Sequence, residues 1–203
     1  MIAVIDYGVG NLFSLCASLK HIGSEYIVTN NAEAIKSAEK IILPGVGAFG
    51  DAVNKLENTG LIPVISDCVK NKTPILGICL GMQLLFEKSY EYGEHTGLGF
   101  LSGEVYPMAA DLKENLKIPH MGWNSLQFIK ENCPILKYTN NGEYVYYVHS
   151  YHAKNCEDSL TAYSDYSFPV TGVVWKDNVF GTQFHPEKSG ETGLKILKAF
   201  AEI

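Results

Sequence analysis

The sequence predicts a single α/β domain over residues 1–203, a central, mostly parallel sheet flanked by helices and extended by antiparallel strands. Two observations predict it. The first half of the chain alternates apolar, strand-like runs with helical patterns, and from about Gly99 onward the pattern changes to successive β-rich segments. The length agrees, since single domains commonly run to ~100–250 residues.

In chain order, Met1–Asp6 reads as a strand, Asn11–Ile22 as a helix, Glu25–Thr29 and Lys40–Leu43 as strands, and Leu61–Asn71 as a helix. Pro74–Cys79 follows as a strand and Gly81–Lys88 as a helix. The runs Ile41-Ile42-Leu43 and Ile75-Leu76-Gly77-Ile78 are continuously apolar, as in strands covered on both faces, and the βαβα order implies parallel pairing. Beyond Gly99, Val145–Val148, Leu160–Tyr163, Val170–Trp175 and Val179–Phe184 read as strands before a closing helix at Gly190–Ala201. No repeat, low-complexity tract or linker interrupts them.

Composition narrows the function classes. A formal charge of −6 without a run of basic residues argues against nucleic acid, whose phosphates need clustered cations. All sixteen basic residues are Lys, so the bidentate guanidinium fork that often clamps a phosphate is absent. No apolar run approaches the ~20 residues that span a bilayer. The opening MIAVIDYG reads as a strand rather than a secretory leader, so a cytoplasmic location is expected. Five cysteines, at 16, 68, 79, 133 and 156, form neither a disulfide framework nor a CxxC metal spacing and are expected to be reduced thiols.

The strongest chemical signal is Gly77-Ile78-Cys79-Leu80-Gly81-Met82-Gln83, where a cysteine stands between two glycines at the junction of a buried strand and a helix. A sharp turn of this kind forces the nucleophile into a strained backbone conformation and needs small residues two positions either side. The helix start beside the sulfur favours thiolate, and the Leu80 N–H is a natural oxyanion donor. Taken alone, Cys79 also reads as a small buried core residue.

Its partners stand near the other end, in Phe184-His185-Pro186-Glu187-Lys188-Ser189. Residues i and i+2 of an extended chain face the same way, and Pro186 holds His185 extended, so His185 can act as base with Glu187 orienting it. A third loop, Pro44-Gly45-Val46-Gly47-Ala48-Phe49-Gly50, follows a strand at the end where parallel sheets bind ligands, although an ordinary glycine-rich turn would read the same. Gly8-Val9-Gly10 lacks the third glycine of a dinucleotide fingerprint, having Phe13 in that place. His149 and His152 are spaced to face opposite sides of a strand, so neither metal nor cofactor is expected.

Together, GICLGMQ and FHPE resemble the class I glutamine amidotransferases over nearly the whole chain. That resemblance implies their fold and a triad of Cys79, His185 and Glu187 that hydrolyses glutamine to glutamate and ammonia. More narrowly, Asp6–Leu12, Pro44–Phe49, Pro119–Asn124, Val148–Tyr151 and His185–Ser189 resemble the glutaminase subunits of imidazole glycerol phosphate synthases. This implies a heterodimer with a (β/α)8-barrel cyclase, to which ammonia is passed in histidine biosynthesis. It further implies an oxyanion hole from Val46 and Leu80, and glutamine held by Gly45, Gly47, Gln83, Ser150 and Tyr151. Asn11, His120, Met121, Trp123 and Tyr151 would face the partner. The alternatives are a paralogous subunit serving another synthase, such as one that amidinates surface sugars, a free-standing γ-glutamyl hydrolase, and a non-catalytic binding subunit.

Overall fold

The computed structural model describes residues 1–203. Its first half comprises β1 (Ile2–Ile5), α1 (Leu12–His21), β2 (Tyr26–Thr29), α2 (Ala32–Lys36), β3 (Lys40–Leu43), α3 (Phe49–Asn58), α4 (Leu61–Lys70), β4 (Ile75–Ile78) and α5 (Leu80–Leu84). Short strands β5 (Lys88–Ser89), β6 (His95–Thr96), β7 (Glu104–Pro107), β8 (His120–Ser125) and β9 (Gln127–Phe128) follow. The chain closes with β10 (Tyr144–His149), β11 (Tyr151–Lys154), β12 (Leu160–Asp165), β13 (Pro169–Lys176), β14 (Val179–Thr182) and α6 (Gly190–Ala201).

The main sheet runs β2-β1-β3-β4-β14-β13-β12-β9. Its first five strands are parallel and the remaining three antiparallel. Side chains alternate between two cores along each central strand. Ala3, Ile5, Ile41, Leu43 and Ile75 join one cluster, packed under Phe49, Leu56 and Ile65 of α3 and α4. Ile2, Val4, Ile42, Leu76 and Ile78 join the other, under Leu15 and Leu19 of α1 and Ile196 and Phe200 of α6. Burial on both faces is why these strands read as unbroken apolar runs. Each fully buried Ile or Leu contributes roughly 1.5–3 kcal/mol.

The antiparallel extension of the main sheet is β13-β12-β9, and two smaller sheets lie outside it: β10-β8, antiparallel, and β11-β7-β5-β6, antiparallel except for the parallel pair β5-β7. No helix is long and apolar enough to cross a membrane.

The helix expected at Gly81–Lys88 is shorter than the pattern implied, ending at Leu84. Its last carbonyls are taken by another loop: Leu98 N–H donates to Leu84 O, Phe100 N–H to Leu85 O and Gly99 N–H to Phe86 O, at 2.8–3.0 Å. A Cβ on Gly97 would lie 2.1 Å from Phe86 O, so only glycine lets that loop approach. Two helices, α2 and α3, fall where the sequence reading assigns none. In α3 the buried positions Phe49, Ala52 and Leu56 recur at helical spacing.

Candidate active site

Strand β4 is buried throughout and delivers Cys79 into a left-handed conformation, φ 54° and ψ −109°, immediately before α5. Such a backbone costs a non-glycine residue ~1–3 kcal/mol and persists only where the surroundings impose it. They do so here. A Cβ on Gly77 would lie 2.6 Å from Gly81 O, and one on Gly81 would lie 1.8 Å from Leu43 O. The two glycines thus let the turn close on itself and on the end of β3.

Strand β14 pairs with β4 in the register Gly77↔Gly181 and Ile78↔Thr182, and Cys79 N–H donates to Thr182 O at 2.7 Å. Three residues beyond that anchor stands His185. Its main chain is fixed on both sides: His185 N–H donates to Tyr146 O at 3.0 Å, and Ser189 Oγ donates to His185 O at 2.7 Å. His185 is extended, as expected, but Glu187 lies in a 3₁₀ turn over Pro186–Lys188 rather than in a continuing extended segment. The turn still brings His185 Nδ1 to 2.8 Å from Glu187 Oε1, with both side chains buried. Burial pulls the His185 pKa down, but the nearby Cys79 sulfur and the hydrogen-bonded Glu187 carboxylate outweigh it and push the imidazole up to about 10.

Cys79 and His185 open into a cavity of about 360 Å³ lined also by Val46, Gly47, Leu80, Gln83, Ser150 and Tyr151. Leu80, as the first residue of α5, has no helical partner for its N–H. Val46 is 40% exposed at the rim. Gly45 does not line the cavity, contrary to expectation. It packs beneath the elbow, where a Cβ would meet Gly81 N at 2.7 Å, so its role is to let the β3 loop approach α5.

Three lining or supporting residues escape the sequence reading. Glu91 and Tyr92 enter from the segment after β5, where no periodicity marks them. Glu91 accepts from Phe49 N–H at 2.7 Å, which ties it to the start of α3; burial raises its carboxyl, against the pull of that N–H and of His95. Tyr92 stands edge-on to Tyr151, centroids 6.3 Å apart. Gln183 Nε2 points to Cys79 Sγ at 3.8 Å, and its i, i+2 relation to His185 is the signal that would have found it.

The residues expected to face a partner divide. On β8 the side chains alternate, so Met121 and Trp123 are 61% and 56% exposed. His120 is 3% exposed and faces inward, which corrects the expectation that it meets a partner: it lies between the rings of Tyr147 and Tyr166. Asn11 is half-buried and caps α1, accepting from Ser14 N–H. Tyr151, half-buried, belongs to the cavity. His149 and His152 stand on different strands and hydrogen-bond to Tyr151 O and Asp111 respectively.

A cysteine on a strained strand-to-helix turn, a histidine that opens into the same cavity and a buried carboxylate hydrogen-bonded to that histidine make a nucleophile, base and orienter. The family model "Glutamine amidotransferase class-I" matches residues 3–203, and the chain belongs to that family. A protein of Caldanaerobacter subterraneus subsp. tengcongensis described as "Imidazole glycerol phosphate synthase subunit HisH" is 52% identical over 204 residues, covering 100% of this chain and 98% of its own length. One of Wolinella succinogenes with the same description is 45% identical, covering 100% of both. Among solved structures, one described as "Crystal structure of glutamine amidotransferase" superposes with a TM-score of 0.77 at 16% identity over 100% of both chains, a likeness of fold.

Proposed function

We propose that this chain is the glutamine-hydrolysing subunit of an imidazole glycerol phosphate synthase, working in the cytoplasm on the histidine pathway. The observation that carries the reading is the convergence of Cys79, His185 and Glu187 on one cavity, in a chain about half identical over its full length to proteins described as that subunit.

In this reading Cys79 sulfur attacks the carboxamide carbon of glutamine, and the oxygen that becomes negative meets the N–H groups of Leu80 and Val46. His185 holds the thiol proton and passes it to the nitrogen as the C–N bond breaks, releasing ammonia and leaving a γ-glutamyl thioester. Water then attacks the thioester, His185 takes its proton, and glutamate leaves with the thiol restored. Glu187 holds the imidazole with Nε2 toward sulfur and stabilises its charged form. Gly47, Gln83, Ser150 and Tyr151 hold the substrate, and Glu91 is the carboxylate that meets its α-ammonium.

The ammonia passes to a (β/α)8-barrel cyclase, whose products are imidazole glycerol phosphate and an aminoimidazole carboxamide ribotide. Exposed Met121 and Trp123, with Phe13 at the start of α1, supply the aromatic and thioether side chains that interfaces favour.

The test is covalent labelling. A chloroketone analogue of glutamine should modify Cys79 and none of the other four cysteines, and glutamine should protect it. An unmodified Cys79 in the intact complex would overturn the reading.

A further inference from the structure

The Tyr151 carbonyl accepts two side-chain N–H groups, His149 Nδ1 at 2.8 Å and Gln83 Nε2 at 3.1 Å. A carbonyl only accepts, so His149 Nδ1 carries a hydrogen, and in the neutral ring Nε2 is then an acceptor. His149 Nε2 faces His120 Nδ1 at 3.0 Å, so the latter is the donor. His120 Nε2 is therefore an acceptor as well, and Asn124 Nδ2 lies 3.3 Å from it.

The Asn124 amide cannot turn over without loss. Its Nδ2 also donates to Asp165 O at 2.8 Å, and its Oδ1 accepts from Ser125 N–H at 2.9 Å. Both imidazoles are buried, and burial pushes His120 down to about 4 and His149 down to about 3, so both are neutral near pH 7. One direction of donation satisfies every group in the row.

At the other end, Gln83 commits both amide hydrogens, to Tyr151 O and to Gln183 Oε1 at 3.0 Å. What Gln83 has left for the cavity it lines is Oε1, an acceptor. Gln183, held through its own Oε1, directs Nε2 at Cys79 sulfur.

We propose that His149, fixed in one tautomer by His120 and Asn124, is a positioning residue that acts through the Tyr151 carbonyl to orient the Gln83 amide, so that the substrate meets Gln83 Oε1 rather than its NH₂. This rests on the glutaminase reading. His149 touches no reacting atom; its contribution is to substrate binding.

Glutamine kinetics of the chain in complex with its cyclase partner test it. His149→Phe keeps a buried ring and drops the N–H, whereas His149→Asn keeps an N–H where Nδ1 stood. His149→Phe should raise KM by about tenfold, the worth of one such hydrogen bond, while His149→Asn restores most of it. Iodoacetamide should alkylate Cys79 at the same rate in all three. Equal KM changes in the two variants, or none in His149→Phe, would overturn the proposal.

A second measurement needs no variant. Long-range ¹H–¹⁵N spectra of the unaltered chain should show both His120 and His149 as neutral Nδ1–H tautomers, and an Nε2–H tautomer of His149 would contradict the proposal. If the unaltered complex hydrolyses no glutamine, the glutaminase reading fails, a result distinct from either of these.

Discussion

The main-chain N–H of Cys79 donates to the carbonyl of Thr182 at 2.7 Å, and this one bond ties the strained nucleophile turn to the strand that leads into His185. The two halves of the site lie more than a hundred residues apart in the chain. Parallel pairing of β4 with β14 makes them neighbours.

The turn depends on a missing side chain. A Cβ on Gly81 would stand 1.8 Å from the Leu43 carbonyl, a backbone atom in a fully buried strand that cannot give way. Gly81→Ala should destabilise the chain by about 3 kcal/mol, read from urea denaturation. A midpoint unchanged from the parent would mean that the turn is looser than described.

Stability should depend on pH through His185. Its pKa is raised from 6.5 to about 10, so the folded chain binds that proton more tightly than the unfolded one. The stabilisation is complete below about pH 6.5 and is lost as pH rises toward about 10. Urea midpoints should therefore fall across that window. Glu187→Gln, which removes one of the partners that raise the imidazole, should flatten the decline, and a parent curve without slope would contradict the assignment.

Neighbours on β8 should part company. Trp123→Ala should weaken docking of the cyclase by about 2 kcal/mol while moving the thermal midpoint of the isolated chain little. His120→Ala, which removes a ring stacked between Tyr147 and Tyr166, should lower that midpoint by several degrees. Calorimetric titration and melting curves separate the two, and similar behaviour of both variants would mean that the strand does not present alternate faces as described.

Glu91 should act on binding. Glu91→Gln keeps the shape and removes the charge proposed to meet the α-ammonium, so the KM for glutamine should rise by about tenfold or more. Alkylation of Cys79 by iodoacetamide, which carries no ammonium, should be unaffected. A KM within twofold of the parent would exclude Glu91 from substrate recognition.

Much of the site is legible in the sequence because its constraints are local. Gly77 and Gly81 flank Cys79 within five residues, so spacing marks the turn, and Glu187 stands two from His185, near enough to reach it although a 3₁₀ turn rather than an extended strand makes the contact. The central strands are equally legible, since burial on both faces leaves a continuous apolar run such as Ile41-Ile42-Leu43.

What escapes is set by contacts distant in sequence. Nothing near Leu84 tells that residues 97–100 will take the carbonyls with which α5 would have continued. Glu91 carries no pattern until the fold sets it against Phe49 N–H. His120 reads as a polar residue of an interface segment, and only its pairing with His149 across β8 and β10 shows that it faces inward. In α3 the buried positions Phe49, Ala52 and Leu56 carry helical spacing, but the helix starts from a glycine-rich loop at Ala48 with no capping side chain to mark it.

The most direct test of the whole account is glutamate release from glutamine, measured for the chain alone, with the cyclase, and with the cyclase and its nucleotide substrate, using Cys79→Ala as control. The account predicts low activity alone, strong activation in the last mixture and none in the Cys79→Ala chain. High activity without any partner, or release that survives Cys79→Ala, would contradict it.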